Sequence, residues 1–149
     1  MNYWLVKTEP DTYSWEDLEK QANAMWDGVR NYQARNNLRQ MLLGDKVLVY
    51  YSGKAPAIIG LAQVVKEYYS DPTAKEGDWS VVDLRAIRKF SRNISLSEIK
   101  QIKDLQEMTL LKNTRLSVQP VRENEFSVIL SLSEYNIETQ QKKNKVKKE

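Results

Sequence analysis

Residues 46–65 constrain the fold more than any other stretch of this chain. Two apolar, β-branched runs, Lys46-Val47-Leu48-Val49-Tyr50-Tyr51-Ser52 and Ala57-Ile58-Ile59-Gly60-Leu61-Ala62-Gln63-Val64-Val65, flank the short connection Gly53-Lys54-Ala55-Pro56. Runs of this length, nearly continuous in apolar residues and bounded by glycine and proline, predict a pair of buried strands joined by a short loop. Such a pair belongs at the centre of a sheet.

The flanking sequence supplies the other elements. Tyr3-Trp4-Leu5-Val6 predicts a first strand, which runs into Lys7-Thr8-Glu9-Pro10 and stops where proline lacks the N–H for further pairing. Ser14 with Asp17 three residues on has the form of a capping box, opening a short helix from Trp15 to about Gln21. Asn31 is a second cap, ahead of a helix from about Tyr32 to Gln40, and Gly44-Asp45 marks the following turn. Residues 68–78, beginning Tyr68-Tyr69-Ser70-Asp71-Pro72, are expected as a polar loop with the tyrosines against a sheet edge. Trp79 to Ile87 follows as a strand. Ser95-Leu96-Ser97-Glu98 predicts a capped helix with Leu96, Ile99, Ile102 and Leu105 in one apolar stripe. Asn113 to Val121 reads as a last strand, and residues 123–132 as a short helix turning Phe126, Ile129 and Leu130 to the core. The expected class is α+β, with short helices around about five mostly consecutive strands.

Composition limits the chemistry. The 149 residues, 41% of them hydrophobic, suit one domain with a substantial core. With neither histidine nor cysteine, Ser-His-Asp and Cys-His nucleophilic sites, thiol redox pairs and Cys/His zinc sites are all excluded. Lysine, threonine and carboxylates, with an oxygen-ligated metal as an option, remain for catalysis, and binding becomes the default expectation, with no cofactor and no metal assigned. No leader-like or membrane-spanning apolar run is present, so the expected location is cytoplasmic, with no membrane partner.

The net charge of +3 is unevenly distributed. Residues 141–149 carry five lysines and one glutamate, leaving residues 1–140 at −1. The reading is a single domain over 1–140 and a disordered lysine-rich tail over 141–149. A near-neutral body disfavours a broad backbone-tracking groove and suits a compact pocket with a few placed arginines.

The segment Trp26-Asp27-Gly28-Val29-Arg30-Asn31-Tyr32-Gln33-Ala34-Arg35-Asn36 packs an aromatic, a turn glycine, a capping asparagine and two arginines into eleven residues. An aromatic face stacks on a base, while the free N–H groups at a helix start and nearby guanidinium groups attract a phosphate. An ordinary strand-turn-helix joint with Trp26 in the core has the same local pattern.

Four motifs in order carry a more specific signal: Tyr3 to Pro10, Trp26 to Asn36, Gly44 to Tyr50, and Arg115-Leu116-Ser117-Val118-Gln119-Pro120. Over nearly its whole length the chain resembles the EVE domain family, related to YTH and ASCH domains. The resemblance implies a PUA-like fold: a curved mixed sheet of five or six strands forming a pseudo-barrel, flanked by short helices. It also implies recognition of a modified base, often a modified cytosine or adenine in DNA or RNA, held between aromatic side chains. The family usually carries histidine where this chain has Tyr51.

Under that implication Trp26 and Trp79, with Tyr50 nearby, are the candidate rings, and Asn31, Thr8 and Ser52 the candidate readers of the base edge. Lys7 and Tyr51 complete the expected pocket; Arg30, Arg35 and Arg115 are the candidate phosphate ligands. Trp4 and Trp15 are assigned to packing. Two alternatives stay open. Some ASCH-type relatives are amidohydrolases acting on acylated cytidine, which makes Lys7-Thr8-Glu9 a candidate lysine-activated threonine site. Adjacent strand residues point to opposite faces, so those groups converge only if the chain bends at Pro10. A protein-interaction module without nucleic acid would leave the aromatic cluster unexplained.

Overall fold

The strand pair expected at residues 46–65 lies at the centre of the sheet in a computed structural model of the chain, which describes residues 1–134. The expected tail at 141–149 falls outside the described residues. The elements in chain order are β1 (Tyr3–Thr8), α1 (Trp15–Glu19), β2 (Ala24–Met25), α2 (Tyr32–Gln40), β3 (Lys46–Tyr51), β4 (Ala57–Ser70), β5 (Ser80–Ser95), α3 (Leu96–Ile99), α4 (Thr109–Lys112) and β6 (Val118–Val121). Among the described residues a further helix, α5, occupies 123–134. The class is α+β, as expected.

The six strands form one mixed sheet in the order β2-β5-β4-β3-β1-β6. β1 runs parallel to β3, from Tyr3 opposite Lys46 to Thr8 opposite Tyr51, and antiparallel to β6. A parallel pair needs a long crossover, and α1, β2 and α2 provide it. Both faces of the centre are covered, which accounts for the continuous apolar runs. Trp4 and Val6 of β1, with Val47 and Val49 of β3, join Trp15, Trp26 and Leu38 in one core. The alternate residues Leu5, Leu48 and Tyr50 join Phe90, Ile99, Leu105 and Phe126 in the other.

The sheet curls around α2. Asn37 Nδ2 donates to the carbonyl of Val118 in β6 at 2.7 Å, and Arg39 Nε donates to Ser80 Oγ in β5 at 2.9 Å. One short helix thus ties strands from opposite margins of the sheet and completes the pseudo-barrel. Register shifts, one between β3 and β4 and four between β4 and β5, supply the bending.

Several boundaries differ from expectation. β4 and β5 continue as a hairpin from Ala57 opposite Ser95 to Ser70 opposite Ser80, so Tyr68 and Tyr69 lie in a strand and not in a loop. The apolar pattern fades there, but the ladder persists, and Tyr69 donates to Asp83 Oδ1 at 2.5 Å. The helix after Ser95 lasts one turn. Glu98 N donates to Ser95 Oγ at 3.1 Å as expected, but the Glu98 carboxylate pairs with Arg92. Gln106 Nε2 then donates to the carbonyls of Ile99, Lys100 and Ile102, taking over the acceptors that a longer helix would use. Residues 113–117 are turn and loop, leaving β6 shorter than the sequence pattern. The two-residue β2 carried no readable pattern. Among the described residues no helix is long and apolar enough to cross a membrane.

Candidate functional site

Three connections meet at the carboxyl end of β1. After Glu9 the chain reverses at Pro10, with Thr12 N and Tyr13 N both donating to the Glu9 carbonyl at 3.0 and 2.9 Å. Tyr13 is thereby returned over the strand end, where its carbonyl accepts the Thr8 hydroxyl at 2.9 Å. The second connection leaves β2: Trp26 N donates to Val82 O at 2.8 Å, and Gly28, at φ 81°, turns the chain toward α2. The third is the 113–117 loop, whose Ser117 carbonyl accepts from Lys7 N at 3.0 Å.

Between them lies a cavity of about 360 Å³. Lys7, Thr8, Tyr13 and Ser117 line one side, and Met25, Trp26, Asp27 and Arg30 the other. The rings of Trp26 and Tyr13 stand perpendicular, at 89° and 5.8 Å between centroids. The volume sits near the lower end of the roughly 300–1,000 Å³ usual for small-ligand pockets, enough for one base with a substituent.

Asp71 anchors this wall from outside the lining. Its carboxylate accepts from Gly28 N at 3.1 Å, Arg30 Nη1 at 2.8 Å, Thr73 N at 2.8 Å and Thr73 Oγ1 at 2.6 Å. Burial alone would raise its pKa, but the hydrogen bonds from Thr73, Arg30 and Gly28 outweigh burial and hold it at about 2. Lys7 is pushed below the usual lysine range by burial. Tyr13 is pushed up, first by burial and then by Asp17 and Asp27.

The structure separates the residues named from sequence. Trp26, Thr8 and Arg30 line the cavity; Lys7 borders it, but its side chain runs toward the Tyr50 ring, its register partner in β3. Tyr50 does not line the cavity: it lies on the opposite face of the sheet, because side chains alternate along β3. Tyr51 is on the same face as Trp26, but its hydroxyl accepts from Trp15 N at 2.7 Å and holds the start of α1. Ser52 contributes its backbone, N donating to Thr8 O at 3.0 Å. Asn31 caps α2 by accepting from Ala34 N at 2.9 Å. Trp79 lies outside the lining, stacked on Tyr32 at 5.0 Å. Arg30 is committed to Asp71, Arg35 flanks the Tyr32–Trp79 pair, and Arg115 is exposed.

Tyr13, Asp27 and Asp71 were not identified from sequence. The available signal for Tyr13 was Pro10, whose forced bend sends the following residues back over the strand they leave. Asp71 lies in the connection between the hairpin strands and meets residues more than forty positions away, so no local pattern marks it. The Lys7-Thr8-Glu9 groups do not converge. Lys7 Nζ donates to Thr114 O at 2.8 Å and lies 5.7 Å from the Tyr50 ring, Thr8 donates to Tyr13 O, and Glu9 is exposed. The bend at Pro10 turns backbone N–H groups toward Glu9, not side chains toward Thr8.

Relatives and solved structures agree with this architecture. Mouse thymocyte nuclear protein 1 is 43% identical over 167 residues, covering 89% of this chain and 74% of that protein. A Leishmania major protein structure superposes with a TM-score of 0.86 at 42% identity, covering 91% of this chain and 96% of the other. Human THYN1, solved in complex with 5-methylcytosine-containing DNA, gives a TM-score of 0.83 at 39% identity, covering 90% and 98%. An ASCH protein from Zymomonas mobilis, at 13% identity and a TM-score of 0.58, shares the fold alone. The EVE domain model matches residues 2–132, and the chain belongs to the EVE domain family.

Proposed function

We propose that this EVE domain is a binding module that holds a modified base of DNA, a 5-substituted cytosine, in the cavity beside Trp26. The observation that carries the reading is a buried tryptophan presented to a base-sized cavity, with the Tyr13 ring as a perpendicular side wall. The human relative in complex with 5-methylcytosine-containing DNA supports it, at 39% identity over 90% of this chain.

Energetics define what else the site must supply. Extruding a base costs a few kcal/mol, and stacking on one ring returns on the order of 1–3 kcal/mol. Tyr13 stands at right angles and is not a second stacking plate, so hydrogen bonds to the base edge must contribute. Asp27 on the cavity wall is a carboxylate acceptor suited to the exocyclic amine of cytosine or adenine, and it would repel the carbonyl that thymine presents at that position. Thr8, whose hydroxyl already donates to Tyr13 O, offers its lone pairs to a donor. Binding without turnover is part of the proposal, since Lys7 and Thr8 each engage other partners and Glu9 is exposed away from them. The lysines of 141–149 add sequence-independent attraction to phosphates, and the cytoplasmic placement is retained with them.

Isothermal titration with short single-stranded DNA carrying 5-methylcytosine, cytosine or thymine at its centre tests the reading. The expected order places the methylated strand first and thymine last, and Trp26→Leu removes the order. Equal affinity for all three strands in the unmodified protein would overturn the proposal.

A further inference from the structure

A second aromatic site stands outside the cavity. Tyr32, the first residue of α2, is 66% exposed, and its ring stacks on Trp79 at 5.0 Å and 19°. Trp79 is fixed from behind: Gly77 has φ +89°, and a Cβ there would lie 2.7 Å from the indole nitrogen, so only glycine lets the ring rest against the backbone. The Arg35 guanidinium is 5.0 Å from the Tyr32 centroid and 5.9 Å from that of Trp79. With the ring centroids themselves 5.0 Å apart, the three points form a nearly equilateral triangle. A guanidinium covering the far face of Tyr32 would be about twice as distant from Trp79 as from Tyr32, so Arg35 flanks the stack and leaves that face open.

Two guanidinium groups, Arg35 and Arg39, and one carboxylate, Asp78, lie around the stack. Arg39 is paired with Asp78 at 2.8 Å, whereas Arg35 makes no salt bridge among the described residues and donates to the Asp78 carbonyl and to Asn36 Oδ1. The stack also adjoins the cavity: Arg30, on the cavity wall, lies 5.7 Å from the Trp79 ring.

We propose that the open face of Tyr32 is a stacking platform for a nucleotide flanking the extruded base, with Arg35 engaging the adjoining phosphate. The occupant is a DNA strand continuing out of the cavity, and the inference rests on the reading of that cavity as a base site. An exposed ring clamped in place by a second ring has little rotamer freedom left to lose, and a guanidinium beside it matches a phosphate. Base–aromatic stacking tolerates any sequence, so this subsite would strengthen binding without selecting the modification.

The test uses the full chain and three probes: the nucleoside 5-methyldeoxycytidine, a five-nucleotide single strand with 5-methylcytosine at its centre, and the same strand unmodified. Tyr32→Ala is expected to weaken both strands about tenfold and to leave the nucleoside unchanged, while Tyr32→Phe binds like the parent. Arg35→Gln should reduce the slope of log affinity against log salt by about 0.7, the single-strand value for one phosphate contact. The melting temperature of each variant verifies folding. Unchanged strand binding in Tyr32→Ala would overturn the platform, as would an equal loss for the nucleoside. Failure of the cavity reading looks different: modified and unmodified strands then bind alike, yet Tyr32→Ala still weakens both if the platform exists.

Discussion

The Arg30 guanidinium lies 2.8 Å from the Asp71 carboxylate, whose side chain is fully buried. The same carboxylate receives Gly28 N, so one acidic group fixes the loop that carries Trp26 into the cavity wall. Arg30 was expected on a phosphate; in the structure its guanidinium is paired with Asp71.

Asp71 makes the fold acid-sensitive in a defined window. Its folded pKa of about 2 lies below the unfolded aspartate value of about 3.9. A depressed carboxylate contributes stability that is fully present above the unfolded pKa and is lost as pH falls through the folded one. Roughly 2 kcal/mol should therefore disappear between about pH 4 and pH 2. Urea unfolding across that range should show the loss in the parent and a much smaller slope in Asp71→Asn. Parallel slopes would assign the acid sensitivity to other groups.

Asp27 should set discrimination between bases. Asp27→Ala is expected to lower the cytosine-over-thymine preference by about 1–2 kcal/mol, the range of a lost base-edge contact, with the melting temperature unchanged because the residue is exposed. Competition titrations with two labelled strands measure the ratio. A preserved ratio would remove Asp27 from the base edge.

Gly60 is required by Trp15. A Cβ at Gly60 would lie 2.5, 2.7 and 2.9 Å from Cζ3, Cη2 and Cε3 of a ring that is 1% exposed. Gly60→Ala is expected to destabilise the protein by about 1–3 kcal/mol through overpacking. Trp15→Leu in the same chain should remove that increment in a double-mutant cycle. Independent, additive effects would contradict the contact.

Tyr51 should matter for stability and not for the choice of base. Tyr51→Phe leaves the Trp15 N–H without its 2.7 Å acceptor, a loss of about 1–3 kcal/mol for an unpaired buried donor. Tyr51→His, which restores the residue usual in the family, should leave the affinity order over modified strands intact, since the side chain is spent on α1. A reordered series would bring position 51 into the site.

The elements legible in sequence were those whose cause is local. The reciprocal Ser14–Asp17 bonds at 3.1 and 2.9 Å and the Asn31 cap at 2.9 Å form between residues three apart, so their spacing alone announces them. The central strands were legible because both of their faces are buried, which forces an uninterrupted apolar run. Trp26 was legible as a candidate through the company it keeps in one short segment, and the structure places it on the cavity wall. Tyr50 shows the limit: nearness in sequence to the pocket strands carried it into the candidate site, and strand alternation put it on the opposite face.

By itself, then, the sequence determined the class of fold, the helix starts, the strand pair at the centre and the absence of histidine and cysteine chemistry, since each depends on residue type and short spacing. Only the tertiary structure decided the length of β4 and β5, which each partner strand extends past its own apolar pattern, and the parallel placement of β1 beside β3. It alone decided which aromatic residues meet: Tyr13 meets Trp26 at the cavity because a turn returns it there, and Trp79 meets Tyr32 outside the cavity across forty-seven positions of chain. The commitment of Arg30 to Asp71 is equally non-local. Contacts of this kind are selected by how the whole sheet curls around α2, and no window of neighbouring residues contains them.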